Sequence, residues 1–246
     1  MHDNRVVIVT GSGGGIGRWV AKTFAQERAK VVVADIKPLD TVSRELQELG
    51  IESLAVPTDV RDEVAVRNLV DRTVERFGRV DVLVNVAAIV THFQWGLPRW
   101  PRVRDMDLEF WNKVVDTNLG GTMLCMKHVI PHLERQGGGH IVNTLGGSQP
   151  ETIGAMAYVT TKEAVRHLTR FVAEEERDHN ICVVATGPGA QIATEDAPAE
   201  ARGRMPGPEA AGNRFVMAAT APMAMSGQTV TVQDGKLTVQ ERYASW

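Results

Sequence analysis

"RVVIVTGSGGGIG", residues 5–17, joins a β-branched run to a glycine-rich turn and the start of a helix-period segment. A run as apolar as "RVVIV" suits a strand buried on both faces, the situation in a parallel sheet with helices above and below. The turn places Gly11, Gly15 and Gly17 in a G-x-x-x-G-x-G register, not the strict G-x-G-x-x-G one. Glycines there permit a tight turn, let a phosphate approach the backbone and aim the N–H groups of a helix start at its charge.

The same alternation continues outward. Further strand candidates are "KVVVA" (30–34), "ESLAV" (52–56), "DVLVN" (81–85), "HIVNT" (140–144), "CVVAT" (182–186) and "TVTVQ" (229–233). Helical patterns lie between them at about 16–27, 41–49, 63–77, 108–134, 158–177 and 208–219. The expectation is an α/β fold of the doubly wound (Rossmann) type, a parallel seven-stranded sheet with helices on both faces. No repeat, low-complexity tract or linker divides residues 1–246, so one domain is expected. Two segments break the alternation, each after a strand's C-terminal end, the edge where open α/β sheets bind ligands. Residues 91–106, "THFQWGLPRWPRVRDM", gather His92, Phe93, Trp95, Arg99, Trp100, Arg102 and Arg104. Aromatic faces beside guanidinium groups suit a planar or anionic small molecule, or a neighbouring subunit. The second segment, about 190–207, lacks large apolar residues and leaves room for a bulky substrate.

Composition sets the outer bounds. Hydrophobic residues make up 43% and charged residues 23%, an ordinary globular mixture. A formal net charge of −3 gives no electrostatic case for nucleic acid or an anionic membrane, and the seven histidines are scattered. Cys125 and Cys182 each sit in an apolar run and read as reduced core residues of a cytoplasmic protein. The chain enters a strand within a few residues of Met1, which leaves no room for a signal peptide, and no apolar run is long enough to span a bilayer. His128 and His132 share an i, i+4 spacing, but Pro131 lies between them and no third ligand is near, so no metal site is expected.

Two further features carry chemistry. Asp35 closes the second strand candidate eighteen residues after Gly17, where a carboxylate accepts the hydroxyls of an adenosine ribose and repels a 2′-phosphate. With no Lys or Arg inside the glycine loop, NAD is expected over NADP. Tyr158 and Lys162 stand four residues apart on one helix face. A free tyrosine titrates near pH ~10, and a neighbouring ammonium favours the phenolate, which moves it toward the range of a useful general base.

In order along the chain come Thr10-Gly-x-x-x-Gly-Ile-Gly17, Asp59-Val60, "LVN" ending at Asn85, Asn118 in "DTNLGG", Tyr158-x-x-x-Lys162, Pro188-Gly189 and "SGQTV" (226–230). With this set the chain resembles the short-chain dehydrogenase/reductase family of classical type over nearly its full length. The resemblance implies an NAD site built from Gly11, Ser12, Gly15, Ile16, Gly17, Asp35 and Ile36, with Asp59 and Val60 at the adenine. Asn85, Ala87, Pro188, Gly189 and Ile192 would complete it around the ribose and carboxamide. It makes Tyr158 the general acid/base, has Lys162 hold the nicotinamide ribose, and gives Asn118 a relay water to anchor. It also implies a homotetramer or homodimer built on the long helices. The implied reaction interconverts a secondary alcohol and a ketone.

The chain departs from the family at several points. Asn85-Val86-Ala87-Ala88 stands for "NNAG", Val184 replaces an Asn, Thr194 comes one residue late after Pro188, and the last motif reads Asp234-Gly235-Lys236. The family serine after the fifth strand falls on Gly146 counting forward and on Leu145 counting back. Thr144 and Ser148 flank the gap. Three outcomes stay open: Ser148 takes the role, a backbone N–H of Gly146-Gly147 takes it, or nothing does. Losing one such donor costs ~10²–10³ in rate, which leaves a slow dehydrogenase, or a binder of NAD without robust turnover, as alternatives. Elimination or dehalogenation with tyrosine as base is a third reading, opposed by the intact glycine loop and Asp35.

Overall fold

The computed structural model describes residues 2–90, 101–147, 154–195, 197 and 199–240. Its centre is a six-stranded parallel sheet of β1 (Val6–Thr10), β2 (Lys30–Asp35), β3 (Ser53–Pro57), β4 (Val82–Asn85), β5 (Gly139–Thr144) and β6 (Ile181–Thr186). The strand order is β3-β2-β1-β4-β5-β6, so the chain winds outward from β1 in both directions. Helices α1 (Gly15–Gln26), α2 (Asp40–Glu48) and α3 (Glu63–Phe77) make the first crossovers. Then follow α4 (Leu108–Val115), α5 (Gly121–Arg135), α6 (Met156–Glu175), the short α7 (Ala199–Arg202) and α8 (Glu209–Ala218).

Successive side chains of a strand point to opposite faces, and here both faces are buried. Val7 and Val9 of β1, Val31 and Val33 of β2, and Val82 and Val84 of β4 enter one core, with Phe24 of α1 and Phe215 of α8. Val6 and Ile8, Val32 and Ala34, and Leu83 enter the other, with Leu69 of α3, Met126 and Leu133 of α5, and Val172 of α6. That explains why the strand runs are apolar throughout and do not alternate. Each fully buried Val, Leu or Phe side chain contributes roughly 1.5–3 kcal/mol. Cys125 and Cys182 are unpaired and buried in these two layers, and burial pushes their thiols up, to about 12 and about 11.

The expected seventh strand is a correction. Gly227 N donates to Val183 O, Ala185 N donates to Gln228 O, and a single parallel bridge joins Ala185 to Thr229. The chain then leaves the sheet, and β7 (Val230–Gln233) pairs antiparallel with β8 (Lys236–Val239) as a separate hairpin. The turn is Asp234-Gly235, both with positive φ (48° and 71°), the Asp-Gly chemistry of a two-residue hairpin. The expected helix over 108–134 is likewise interrupted, by one π turn at Asp116–Gly120. Pro131 lies inside α5. No helix among the described residues is long and apolar enough to cross a membrane.

Candidate active site

The C-terminal ends of β1, β2, β4, β5 and β6 converge on one edge of the sheet, and the candidate residues lie along it. Gly11 has φ +69°, and a Cβ there would come within 2.6 Å of Ala87 Cα. The chain after β4 therefore rests directly on the glycine turn. Thr10 Oγ1 fixes that approach, accepting from Val86 N at 3.1 Å and Ala87 N at 3.2 Å. The Val86-Ala87-Ala88 departure thus keeps its backbone contacts. At Gly17 a side chain would strike the Gly11 carbonyl, so α1 can pack this closely only with glycine. Ser12 is buried, and its hydroxyl accepts from Ala34 N at 2.9 Å, which commits its side chain to β2.

Asp35 ends β2 beside this loop. One carboxylate oxygen accepts from Gly13 N at 2.8 Å and the other from Lys37 N at 2.9 Å. Ile36 is exposed at the sheet edge. Val60 is buried and packs against Gly121 of α5. The Asp59 carboxylate is held by Arg61, Nη2 to Oδ2 2.5 Å, which keeps its pKa below the usual carboxylate range. Pro188 and Gly189 follow β6. Gly189 has φ +83°, and a side chain there would meet the Arg214 guanidinium. Ile192 sends its side chain into the core with α1 and α8, so only its backbone is available to a ligand. Thr194, one residue late in sequence, reaches the glycine loop nonetheless, with Cγ2 3.8 Å from where a Gly15 Cβ would lie. Gly11 and Gly17, which leave no room for a Cβ, the backbone N–H groups at a helix start and an acceptor carboxylate fit a dinucleotide.

The Tyr158 and Lys162 pair lies one turn apart on α6, with Lys162 Nζ 5.7 Å from the Tyr158 ring centroid. Lys162 is buried and donates to Thr144 O at the end of β5, at 3.0 Å. Burial lowers its pKa to about 8. Tyr158 is half-buried overall, but its phenol end is desolvated and its pKa is raised to about 12. The direction is upward, where the sequence predicts that the neighbouring lysine lowers it, and the cause is loss of water. Gly146 lies against the phenol end. A Cβ on that residue would fall on the Tyr158 hydroxyl and within 2.9 Å of Cζ. The phenol lies where a side chain on residue 146 would begin. Ser148 and residues 91–100, with His92, Phe93, Trp95, Arg99 and Trp100, lie outside the described residues.

Asn118 occupies the π turn, a feature common at functional sites. It is fully buried; Oδ1 accepts from Ile89 N at 2.7 Å, while Nδ2 donates to Ile89 O and to Thr161 Oγ1 at 3.1 Å. Thr161 Oγ1 in turn donates to Tyr158 O at 2.7 Å. Asn118 therefore ties the chain after β4 to the helix of the pair, a contact that Thr161's position between Tyr158 and Lys162 foreshadows. Asn85 Nδ2 donates to Asn143 Oδ1 at 2.9 Å, linking β4 to β5 beneath it. The histidine pair on α5 is divided: His128 faces Glu63 and His132 faces Arg135.

The fold and this edge define a doubly wound α/β protein with a dinucleotide cradle and a tyrosine–lysine pair. Residues 5–201 match the family profile described as short chain dehydrogenase, and the chain belongs to that family of nicotinamide-dependent oxidoreductases. It is 36% identical over 188 residues to a cis-4-hydroxycyclohexanecarboxylate dehydrogenase of Sinomonas cyclohexanicum, covering 75% of this chain and 72% of that one. A hydroxysteroid dehydrogenase from Escherichia coli superposes with a TM-score of 0.79 at 30% identity, over 95% of this chain and 97% of that one. A short-chain type dehydrogenase/reductase from Mycobacterium marinum gives a TM-score of 0.81 at 29% identity, over 95% of both chains.

Proposed function

We propose that this protein is an NAD-dependent dehydrogenase that interconverts a secondary alcohol and a ketone, with Tyr158 as the acid/base. The observation that carries the reading is the buried Lys162 ammonium, set one helical turn from Tyr158 and hydrogen-bonded to Thr144 O. NAD supplies the hydride acceptor when bound. Asp35 receives the adenosine ribose hydroxyls, and the backbone of Gly11, Gly15, Ile16 and Gly17 holds the phosphates. Lys162 would hold the nicotinamide ribose, and its ammonium would offset part of the desolvation that raises the phenol. Tyr158 would take the substrate's hydroxyl proton at Oη. Asn118 positions α6 against the chain after β4.

Two relatives bear dehydrogenase names for hydroxylated cyclic compounds, and on that ground a cyclic secondary alcohol is the first substrate to test. Exposed Leu108, Met123 and Phe171 on α4, α5 and α6 support assembly as a homodimer or homotetramer through these helices. Two buried, unpaired cysteines favour the cytoplasm. A second reading, an NAD(H)-binding protein with weak turnover, is favoured by the withdrawn Tyr158 phenol. The test is NADH formation over a panel of aliphatic, cyclic and aryl secondary alcohols, with NADP in parallel. Turnover with NAD supports the first reading. Silence across the panel from a protein that binds NADH tightly selects the second.

A further inference from the structure

The glycine cradle is already in contact with an anion of the chain's own. Glu195 follows β6 in the sequence and reaches back across 180 positions, its Oε1 accepting from Gly15 N at 2.6 Å. Gly15 begins α1, where unpaired N–H groups and the helix dipole favour negative charge. A Cβ on Gly14 would fall on that same carboxylate oxygen, and Lys37 Nζ lies 3.6 Å from the same point. The carboxylate also contributes to raising the Arg18 pKa, behind the larger effect of Glu45.

The backbone that delivers Glu195 is anchored. Arg202 Nη2 donates to Glu195 O and Arg202 Nε donates to Ala197 O, both at 2.7 Å. Ala193 N donates to Pro206 O at 2.9 Å, and Ile192 is buried in the core below. Glu195 is thus presented to the loop by a clamped segment, not by a free chain.

A phosphate oxygen would be taken by the same kind of N–H, and two anions cannot share one donor. We propose that Glu195 is an internal competitor for the dinucleotide's phosphate position: the nucleotide enters only as the carboxylate leaves, so this residue sets cofactor affinity and entry rate. The proposal rests on the reading of the glycine loop as a dinucleotide site.

The experiment is NADH fluorescence titration and stopped-flow association for wild type, Glu195→Ala and Glu195→Gln, each first checked for an unchanged thermal midpoint. Losing a charge-assisted contact of this kind corresponds to about 10-fold or more in affinity. Glu195→Ala should bind NADH at least that much tighter and associate faster, with Glu195→Gln between it and wild type. Unchanged or weaker NADH binding in both variants would overturn the proposal, since Glu195 would then be neutral or would help to hold the nucleotide. If wild type binds NADH and the variants do not differ, only the competitor role fails. If no form binds NADH or NADPH, the dinucleotide reading fails and the proposal falls with it.

Discussion

The Tyr158 hydroxyl lies where a side chain on Gly146 would have to begin. The two residues come from different elements, the turn after β5 and the first turns of α6, and glycine at 146 lets the phenol sink between them. The phenol end is desolvated there, and burial pushes its pKa up to about 12.

A side chain restored at 146 should drive the phenol back out. The atom in the way is the far end of a tyrosine side chain, so Gly146→Ala should fold with a cost of about 1–3 kcal/mol or less. Titration of the tyrosinate ultraviolet band, with Tyr158→Phe as the blank, should show the Tyr158 pKa falling from about 12 toward the free value near ~10. No shift would mean that the packing against Gly146 does not control the phenol.

Asp35 should govern the choice of cofactor. Removing a carboxylate that accepts from ribose hydroxyls forfeits about 1.5–3 kcal/mol, or roughly 10–100-fold in affinity. Asp35→Ala should therefore weaken NADH by that factor and narrow or reverse the preference over NADPH, as read by parallel fluorescence titrations. Equal losses for both cofactors would assign Asp35 only to holding Gly13 N and Lys37 N.

Asn118→Ala should cost stability and activity together. It removes the acceptor for Ile89 N and the donor to Thr161 in a fully buried place, a loss of about 1–3 kcal/mol for each group left unpaired. Chemical denaturation and turnover measured side by side check this. A variant of wild-type stability would show that the π turn is held by other contacts.

Acid should unfold the protein through two histidines far from the site. Arg5 reaches both His2 Nδ1, at 3.3 Å, and His140 Nδ1, at 3.0 Å, while their Nε2 atoms lie against Val216 O and Ala221 O. A guanidinium only donates, so each Nδ1 must accept and each ring must be neutral. Burial first of all, with Arg5 also lowering, takes both pKa values from 6.5 to about 4. The unfolded chain therefore binds more protons between those limits. Stability is full above pH 6.5 and falls as pH drops toward 4, by up to about 3 kcal/mol per histidine. Urea midpoints across this window should decline, and more shallowly in His140→Gln. A flat profile would show that these rings already titrate normally.

Much of the fold is visible in apolar runs because β1, β2, β4 and β6 are buried on both faces and need no alternation. The tail deceived because "TVTVQ" has strand chemistry in either setting, and only Asp234-Gly235 betrays a hairpin. The π turn at Asn118 leaves the apolar pattern on either side nearly in phase, so the periodicity from 108 to 134 reads as one helix. Gly11, Asp35, Tyr158 and Lys162 can be singled out from sequence because short spacings and strand ends mark them. Glu195 on Gly15, and His140 on Arg5, join residues more than a hundred positions apart, and no local pattern records such contacts.

The central claim is that Tyr158 carries the proton in an NAD-linked oxidation. The most direct measurement is NADH formation from NAD and the best alcohol of the panel, by wild type and Tyr158→Phe, with NADH affinity measured on both. The account predicts a fall of ~10²–10⁴ in turnover with cofactor affinity retained. Turnover unchanged in Tyr158→Phe would contradict it.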